Sequence, residues 1–283
     1  MKPILILTVL CLHSFFLTAQ KNSDLKADSA LILETALNYG DGWYSGDAAR
    51  MEKAIHPDLN KICPVRMPQT GKTFLMISSW SGLVEPARAK AGFLEEPKRK
   101  ISATVLKIND NVACAKITTA LFDDYLAMVK ADGQWKIVNV LWTFGPDSPN
   151  LPDLKDFKGD DEKPAVELAV RDLIEGIYTS DLVRIEKALH PEYRRATAVI
   201  LPATGKTFIQ RDAAGSITEA VRAKLGAMPK EKWDIQIRVM DIMDGLAFAE
   251  LAIPSGYSYA QLAKIEGQWK IINILRKLAA QPR

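Results

Sequence analysis

Cysteine and histidine are both scarce in this chain, three of each in 283 residues. Cys11 lies in the apolar N-terminal stretch, which leaves Cys63 and Cys114, with His56 and His190, for the remainder. No spacing of these residues resembles a zinc pattern, so neither a metal nor a cofactor is expected. Charge of one sign is missing too: 37 Lys and Arg against 34 Asp and Glu leave a formal +3. That balance is too small for a general nucleic-acid footprint. With 48% hydrophobic and 25% charged residues, the chain is also neither disordered, collagen-like nor a coiled coil. Cys63 and Cys114 could pair in an oxidising compartment, but their apolar, strand-like surroundings favour two buried free thiols.

Residues 1–20 read as a cleavable leader. Lys2 supplies the positive start, Ile4 to Leu17 is almost wholly apolar, and Thr18-Ala19-Gln20 offers a small residue for cleavage. The apolar run is short for a membrane span, and no later stretch reaches that length. A lipid anchor needs a cysteine just after the run, whereas Cys11 lies inside it. The expectation is a periplasmic or secreted protein without membrane attachment after cleavage; a retained N-terminal anchor is the alternative.

The chain repeats itself. Arg50-Met-Glu-Lys-Ala-Ile-His56-Pro57 returns as Arg184-Ile-Glu-Lys-Ala-Leu-His190-Pro191, and Thr70-Gly-Lys-Thr-Phe74 as Thr204-Gly-Lys-Thr-Phe208. Arg88-Ala-Lys90 returns as Arg222-Ala-Lys224, and Gly133-Gln-Trp-Lys-Ile137 as Gly267-Gln-Trp-Lys-Ile271. Every block recurs 134 positions later, so a whole domain was duplicated without net insertion. Residues 21–145 and 165–283 form the two domains. Residues 146–164, rich in proline and acid, form an exposed linker.

One copy reads as an α+β unit. Asp28-Ser29 can cap a helix running to Tyr44, and Asp47 caps a short second helix that ends at His56-Pro57. Lys61 to Met67 alternates as a strand, Thr70-Gly71-Lys72 turns, and a helix is expected over Phe74 to Lys90. Strands follow at Ile101–Ile108, Val112–Leu121, Tyr125–Lys130 and Trp135–Val140. Such a curved antiparallel sheet can wrap helices on one face and enclose a pocket.

This order, with Gly42-Trp43-Tyr44-Ser45-Gly46-Asp47, His56-Pro57-Asp58-Leu59, Asp124-Tyr125-Leu126 and the closing Asp132-Gly133-Gln134-Trp135-Lys136-Ile137, resembles the nuclear-transport-factor-2-like superfamily and, within it, the putative lumazine-binding family. The second copy matches more loosely, through Gly176-Ile177-Tyr178, His190-Pro191-Glu192-Tyr193 and Ser258-Tyr259-Ala260. The resemblance implies two tandem cone-shaped domains of cystatin-like fold. Their cavities would be lined by the first helix and the inner sheet face. Isolated superfamily domains often pair through their sheets, so the two copies are expected to pack on each other.

Candidate ligand-binding residues are Tyr39, Trp43, Tyr44, His56, Asp124, Tyr125 and Trp142 in the first copy, and Tyr178, His190 and Tyr259 in the second. The two histidines are either pocket acid–base groups or helix-terminal groups satisfying the last carbonyls; the proline after each favours the second. Thr70-Gly-Lys-Thr lacks the earlier glycine of a phosphate loop, Arg66 standing there, so it reads as a hairpin tip. Glu85 and Arg88 should form an exposed i,i+3 pair, and Asp47 with Arg50 a cap and first-turn charge. Where ketosteroid-isomerase-like relatives carry a carboxylate base, Cys63 and Thr197 stand. No catalytic residue is therefore assigned. The leading expectation is a binder of a small planar or apolar ligand, with the first copy the better site. A cyclase-like lyase, isomerase or hydrolase using His56 with Tyr125 or Asp124, and a tandem interaction scaffold, are the alternatives.

Overall fold

The computed structural model describes residues 4–149 and 159–279, with side chains from residue 24 onward except Asp160. The leader's side chains and residues 150–158 of the linker lie outside the described residues. Among the described residues no helix is long and apolar enough to cross a membrane.

Each domain opens with a helix pair. Helix α1 (Ile4–Ser45) meets α2 (Ala48–Ala54) across a tight corner. Gly42 makes that corner possible: a Cβ there would stand 3.1 Å from the Met51 backbone nitrogen and 3.2 Å from the Asp47 carbonyl oxygen. Gly176 fills the same role between α4 (Lys163–Thr179) and α5 (Leu182–Ala188). Asp47 and Asp181 cap the second helices through the backbone N–H groups of Arg50 and of Val183 and Arg184. Asp28 does not start a helix, since α1 runs through it. It accepts instead from Lys130 Nζ at 2.6 Å and Trp135 Nε1 at 3.0 Å, pinning α1 to the last hairpin. Glu162 does the same for Lys264 and Trp269.

Strands β1 (Ile55–Arg66), β2 (Thr73–Ser78), β3 (Ser102–Asn109), β4 (Val112–Thr118), β5 (Phe122–Ala131) and β6 (Gln134–Phe144) make one sheet in the order β2-β1-β6-β5-β4-β3. Strands β7 (Leu189–Ile200), β8 (Thr207–Ala213), β9 (Gln236–Met243), β10 (Leu246–Ile253), β11 (Gly256–Ile265) and β12 (Gln268–Leu278) repeat it as β8-β7-β12-β11-β10-β9. The sheets are mixed rather than wholly antiparallel: β1 runs parallel to β6, and β7 to β12. The helix expected from Phe74 is also shorter than read. Phe74 to Ser78 pairs with β1, and α3 covers only Ser81–Arg88, matched by α6 (Ala214–Arg222). The hydrogen-bonding edge of β1 outweighs the helical spacing of that segment. The β5–β6 turn takes positive φ at both Asp132 and Gly133, a hairpin geometry matched to strand twist.

Each sheet has two working faces. The inner faces carry Leu59, Leu126 and Val140 onto α1–α3, and Tyr193, Ala260 and Ile274 onto α4–α6. The outer faces pack against each other: Ile62, Cys114, Tyr125 and Leu141 share one buried cluster with Ala196, Phe248, Tyr259 and Leu275. Buried polar links cross that seam. Gln261 Nε2 donates to the Tyr125 carbonyl at 2.8 Å, Asn60 Nδ2 to Asn273 Oδ1 at 2.8 Å, and Arg211 Nη1 to Asn139 Oδ1 at 2.7 Å.

Candidate functional site

On β1, side chains alternate between faces: Ile62 enters the inter-sheet seam, which turns Lys61 and Cys63 to the helix side. The same alternation on β5 sends Tyr125 to the seam and Asp124 inward. Asp124 is fully buried and Lys61 nearly so, with Nζ 3.2 Å from Asp124 Oδ2. Lys61 Nζ also donates to the Tyr39 hydroxyl from α1. Three rings surround the ammonium: Trp142 at 4.5 Å to the centroid, and Tyr39 and Phe122 at 5.2 Å each. Cation–π attraction thus replaces part of the hydration that Lys61 loses.

Burial dominates the electrostatics of this cluster. It pushes the Asp124 carboxyl up and the Lys61 ammonium down, while their mutual attraction opposes both shifts. Burial, then the Asp124 charge, raises the Tyr39 hydroxyl. The Cys63 thiol is pushed up to about 12 by burial, so it is no nucleophile at neutral pH. On the opposite face of β5, which it shares with Tyr125, Asp123 accepts at Oδ1 from the Thr119 N–H at 3.3 Å and is raised to about 6, chiefly by burial. One group in the cluster is unsatisfied among the described residues: the buried Trp142 Nε1–H has no acceptor.

The corresponding inner face of the second domain carries different side chains. Arg195 replaces Lys61 and pairs with Asp212 of β8, Nε at 3.0 Å and Nη2 at 2.8 Å from Oδ2. Ser258 stands for Asp124, Leu173 for Tyr39 and Arg276 for Trp142. Arg276 lies opposite Ser258 and Thr197 in the sheet register, and its Nη2 donates to Ser255 Oγ at 3.1 Å.

The sequence-nominated residues distribute as follows. Tyr39, Asp124 and Trp142 converge on Lys61. Tyr44 is used structurally: its hydroxyl lies 2.8 Å from Thr119 Oγ1 and accepts from the Leu121 N–H, and its ring stacks on Phe122. Trp43 packs on Gly92, where a Cβ would come within 2.1 Å of the indole nitrogen. Tyr125 and Tyr259 lie in the seam, the Tyr125 hydroxyl donating to Asp241 at 2.7 Å. Tyr178 lies in the core of the second domain against the Trp233 ring. His56 and His190 do not cap helices. Their Nδ1 atoms accept from the N–H groups of Asp58 and Glu192, two residues on, at 3.0 and 3.1 Å. Burial lowers both imidazoles. The last carbonyls of α2, from Glu52 and Lys53, accept instead from Lys136 Nζ, and those of α5 from Lys270 Nζ. His56 and Tyr125 therefore do not share a space with Asp124.

Lys61 is the residue that sequence reasoning missed. Its signal was the alternation of β1, which puts a charged side chain in line with Leu59 and Cys63. Arg50 was also underread: it bonds Asn38 and Asp41 on α1, as Arg184 bonds Asp172 and Glu175 on α4. The remaining surface assignments hold. Arg88 pairs with Glu85 at 3.3 Å, Lys72 at the hairpin tip reaches Glu266, and Cys63 and Cys114 are buried free thiols.

Helices cradled by a mixed six-stranded sheet, twice over, define a tandem nuclear-transport-factor-2-like protein. The chain belongs to the putative lumazine-binding family, whose profile matches residues 27–143 and 161–275. No curated protein matches the sequence. Among solved structures, a nuclear-transport-factor-2-like protein of unknown function from Shewanella baltica is 19% identical, covering 42% of this chain and 95% of its own, with a TM-score of 0.34. A nuclear-transport-factor-2-like protein with a cystatin-like fold from Novosphingobium aromaticivorans is 13% identical, covering 46% of this chain and 90% of its own, at 0.35. A cystatin-like fold protein from Burkholderia xenovorans is 16% identical, covering 44% and 95%, at 0.33.

Proposed function

We propose that the protein binds a small, planar, nitrogen-containing heterocycle in the inner cavity of its first domain. The observation that carries this reading is the Trp142 Nε1–H, buried without an acceptor beside the wholly buried Asp124 carboxylate. A buried donor left unpaired costs about 1–3 kcal/mol, which a ligand acceptor would recover. A flat heterocycle lying in the plane of the indole, with a ring nitrogen or carbonyl oxygen toward Nε1, accepts this hydrogen bond and leaves the Lys61 ammonium over the ring face. Lys61 then keeps its contacts with Asp124 and Tyr39. Pteridines of the lumazine kind, for which the family is named, have the flat shape and the mixed donor–acceptor edge this arrangement asks for. The leader-like N-terminus supports a periplasmic or secreted setting, which N-terminal sequencing of the exported protein checks.

The test is calorimetric titration with lumazine and riboflavin of the wild type and of Trp142→Phe, which keeps a ring but loses the N–H. Binding is expected in the wild type and should be ~3- to 10-fold weaker in the variant, the worth of one hydrogen bond. Wild-type protein that binds neither compound, or a variant that binds equally well, contradicts the reading.

A further inference from the structure

The second domain carries a feature that the first lacks: a guanidinium on its inner sheet face with no counter-charge among the described residues. In the first domain the inward cation, Lys61, faces Asp124. In the second, Arg195 is neutralised by Asp212, but Arg276 is a further cation on the same face. Among the described residues no carboxylate lies within ion-pairing distance of Arg276, and its hydrogen bond goes to the neutral Ser255 hydroxyl. Two acids stand in the neighbourhood: Asp212, already held by Arg195, and the exposed Asp234.

A second, independent observation points to the same place. The Tyr178 hydroxyl is buried with no partner among the described residues, and the residue as a whole is 5% exposed. Its counterpart Tyr44 places its hydroxyl against Thr119 Oγ1 and the Leu121 N–H at the β4–β5 turn. In the second domain those positions are Ile253 and Ser255, so the hydroxyl acceptor is gone and the turn residue now engages Arg276. The Tyr178 hydroxyl thus lacks the partner that Tyr44 keeps, in the part of the domain where Ser255 holds Arg276. The two groups also influence each other electrostatically: the guanidinium holds the Tyr178 hydroxyl back from the full rise that burial would give it. Around them stand apolar and aromatic walls, with the Trp233 ring 5.6 Å from that of Tyr178 and the buried Tyr193 on β7.

We propose that Arg276 and Tyr178 form a binding site for the carboxylate of a small aromatic acid in the inner cavity of the second domain. A guanidinium edge and a hydroxyl supply donors to the two carboxylate oxygens, and the Trp233–Tyr193 surround takes the ring. The site is separate from the one proposed in the first domain, because the two cavities lie on opposite sides of the packed sheets.

The probes are benzoate and its uncharged isostere benzamide, titrated calorimetrically into the full mature chain. Wild-type protein is expected to bind benzoate at least ~10-fold more tightly than benzamide, since hydrogen bonds to a charged group are the stronger ones. Arg276→Gln should weaken benzoate ~10- to 100-fold and leave benzamide unchanged, and Tyr178→Phe should weaken benzoate ~2- to 10-fold. Denaturant unfolding without ligand supplies a second readout. Removing an uncompensated, half-buried charge should leave Arg276→Gln as stable as wild type or more so. Equal affinity for benzoate and benzamide, no binding of benzoate, or unaltered benzoate affinity in Arg276→Gln overturns the proposal. So does an Arg276→Gln protein that loses stability without ligand, because the arginine would then be a structural strut.

Discussion

At the position of Lys61 the second domain carries Arg195, at Asp124 it carries Ser258, at Trp142 it carries Arg276, and at Tyr39 it carries Leu173. Over the same stretch the residues that build the frame are kept. Gly42 and Gly176 admit the helix corner, Asp47 and Asp181 cap the second helices, and Lys136 and Lys270 close their last turns. Duplication has preserved what holds the sheets and helices in place and released the polar lining of the cavities. In the first domain the lining neutralises itself, cation against carboxylate. In the second it keeps a positive excess.

The largest expected effect breaks that contrast at its centre. Lys61→Met leaves Asp124 buried without its partner and should cost ~3–5 kcal/mol, the usual penalty for half of a buried ion pair. Arg195→Met should cost less, ~1–2 kcal/mol, because Asp212 retains solvent contact (17% side-chain exposure). Denaturant unfolding of both variants compares them directly, and equal losses would mean that the two cavities are not electrostatically different.

Next in size is the seam. Gln261, whose counterpart is Ala127, bonds the Tyr125 carbonyl and accepts from Asn273 Nδ2 at 3.0 Å. Gln261→Leu should destabilise by ~2–3 kcal/mol because two buried groups lose their partner. A neutral result would show the inter-sheet network to be dispensable. Where the domains agree, the effects should agree. Lys136→Met and Lys270→Met should each cost ~1 kcal/mol by freeing helix-end carbonyls, and a several-fold disparity would break the equivalence.

The last expected effect is a pH dependence that Asp123 brings to the first domain. Asp123 is raised to about 6 in the folded protein from an ordinary 3.8, so between those values the native state holds more protons than the unfolded chain. Its contribution to stability therefore falls as pH rises from about 4 to about 6. Asp123→Asn should flatten that part of the melting-temperature profile, whereas Tyr257→Phe, at the equivalent position, should leave it alone.

Much of the frame was legible in the sequence because it rests on local rules. The constant offset gave two copies, Asp47 and Asp181 announced their caps, and Asp132-Gly133 announced its hairpin. Three things were not legible, each for a non-local reason. Strand β2 depends on pairing with β1, which overrides the helical spacing from Phe74. The proline after His56 made a helix cap plausible, yet the carbonyls are met by Lys136, 83 and 84 residues further along the chain. The neighbours Asp124 and Tyr125 were grouped as one site, although strand alternation sends them to opposite faces. The same alternation turns Lys61 inward on β1, where it meets Asp124.

The central claim is that one fold carries two differently charged inner faces. A crossed titration tests it most directly: lumazine and benzoate into wild type, Trp142→Phe and Arg276→Gln. The account predicts that Trp142→Phe weakens lumazine alone and Arg276→Gln weakens benzoate alone. Loss of both ligands in either variant, or of neither in both, would contradict it.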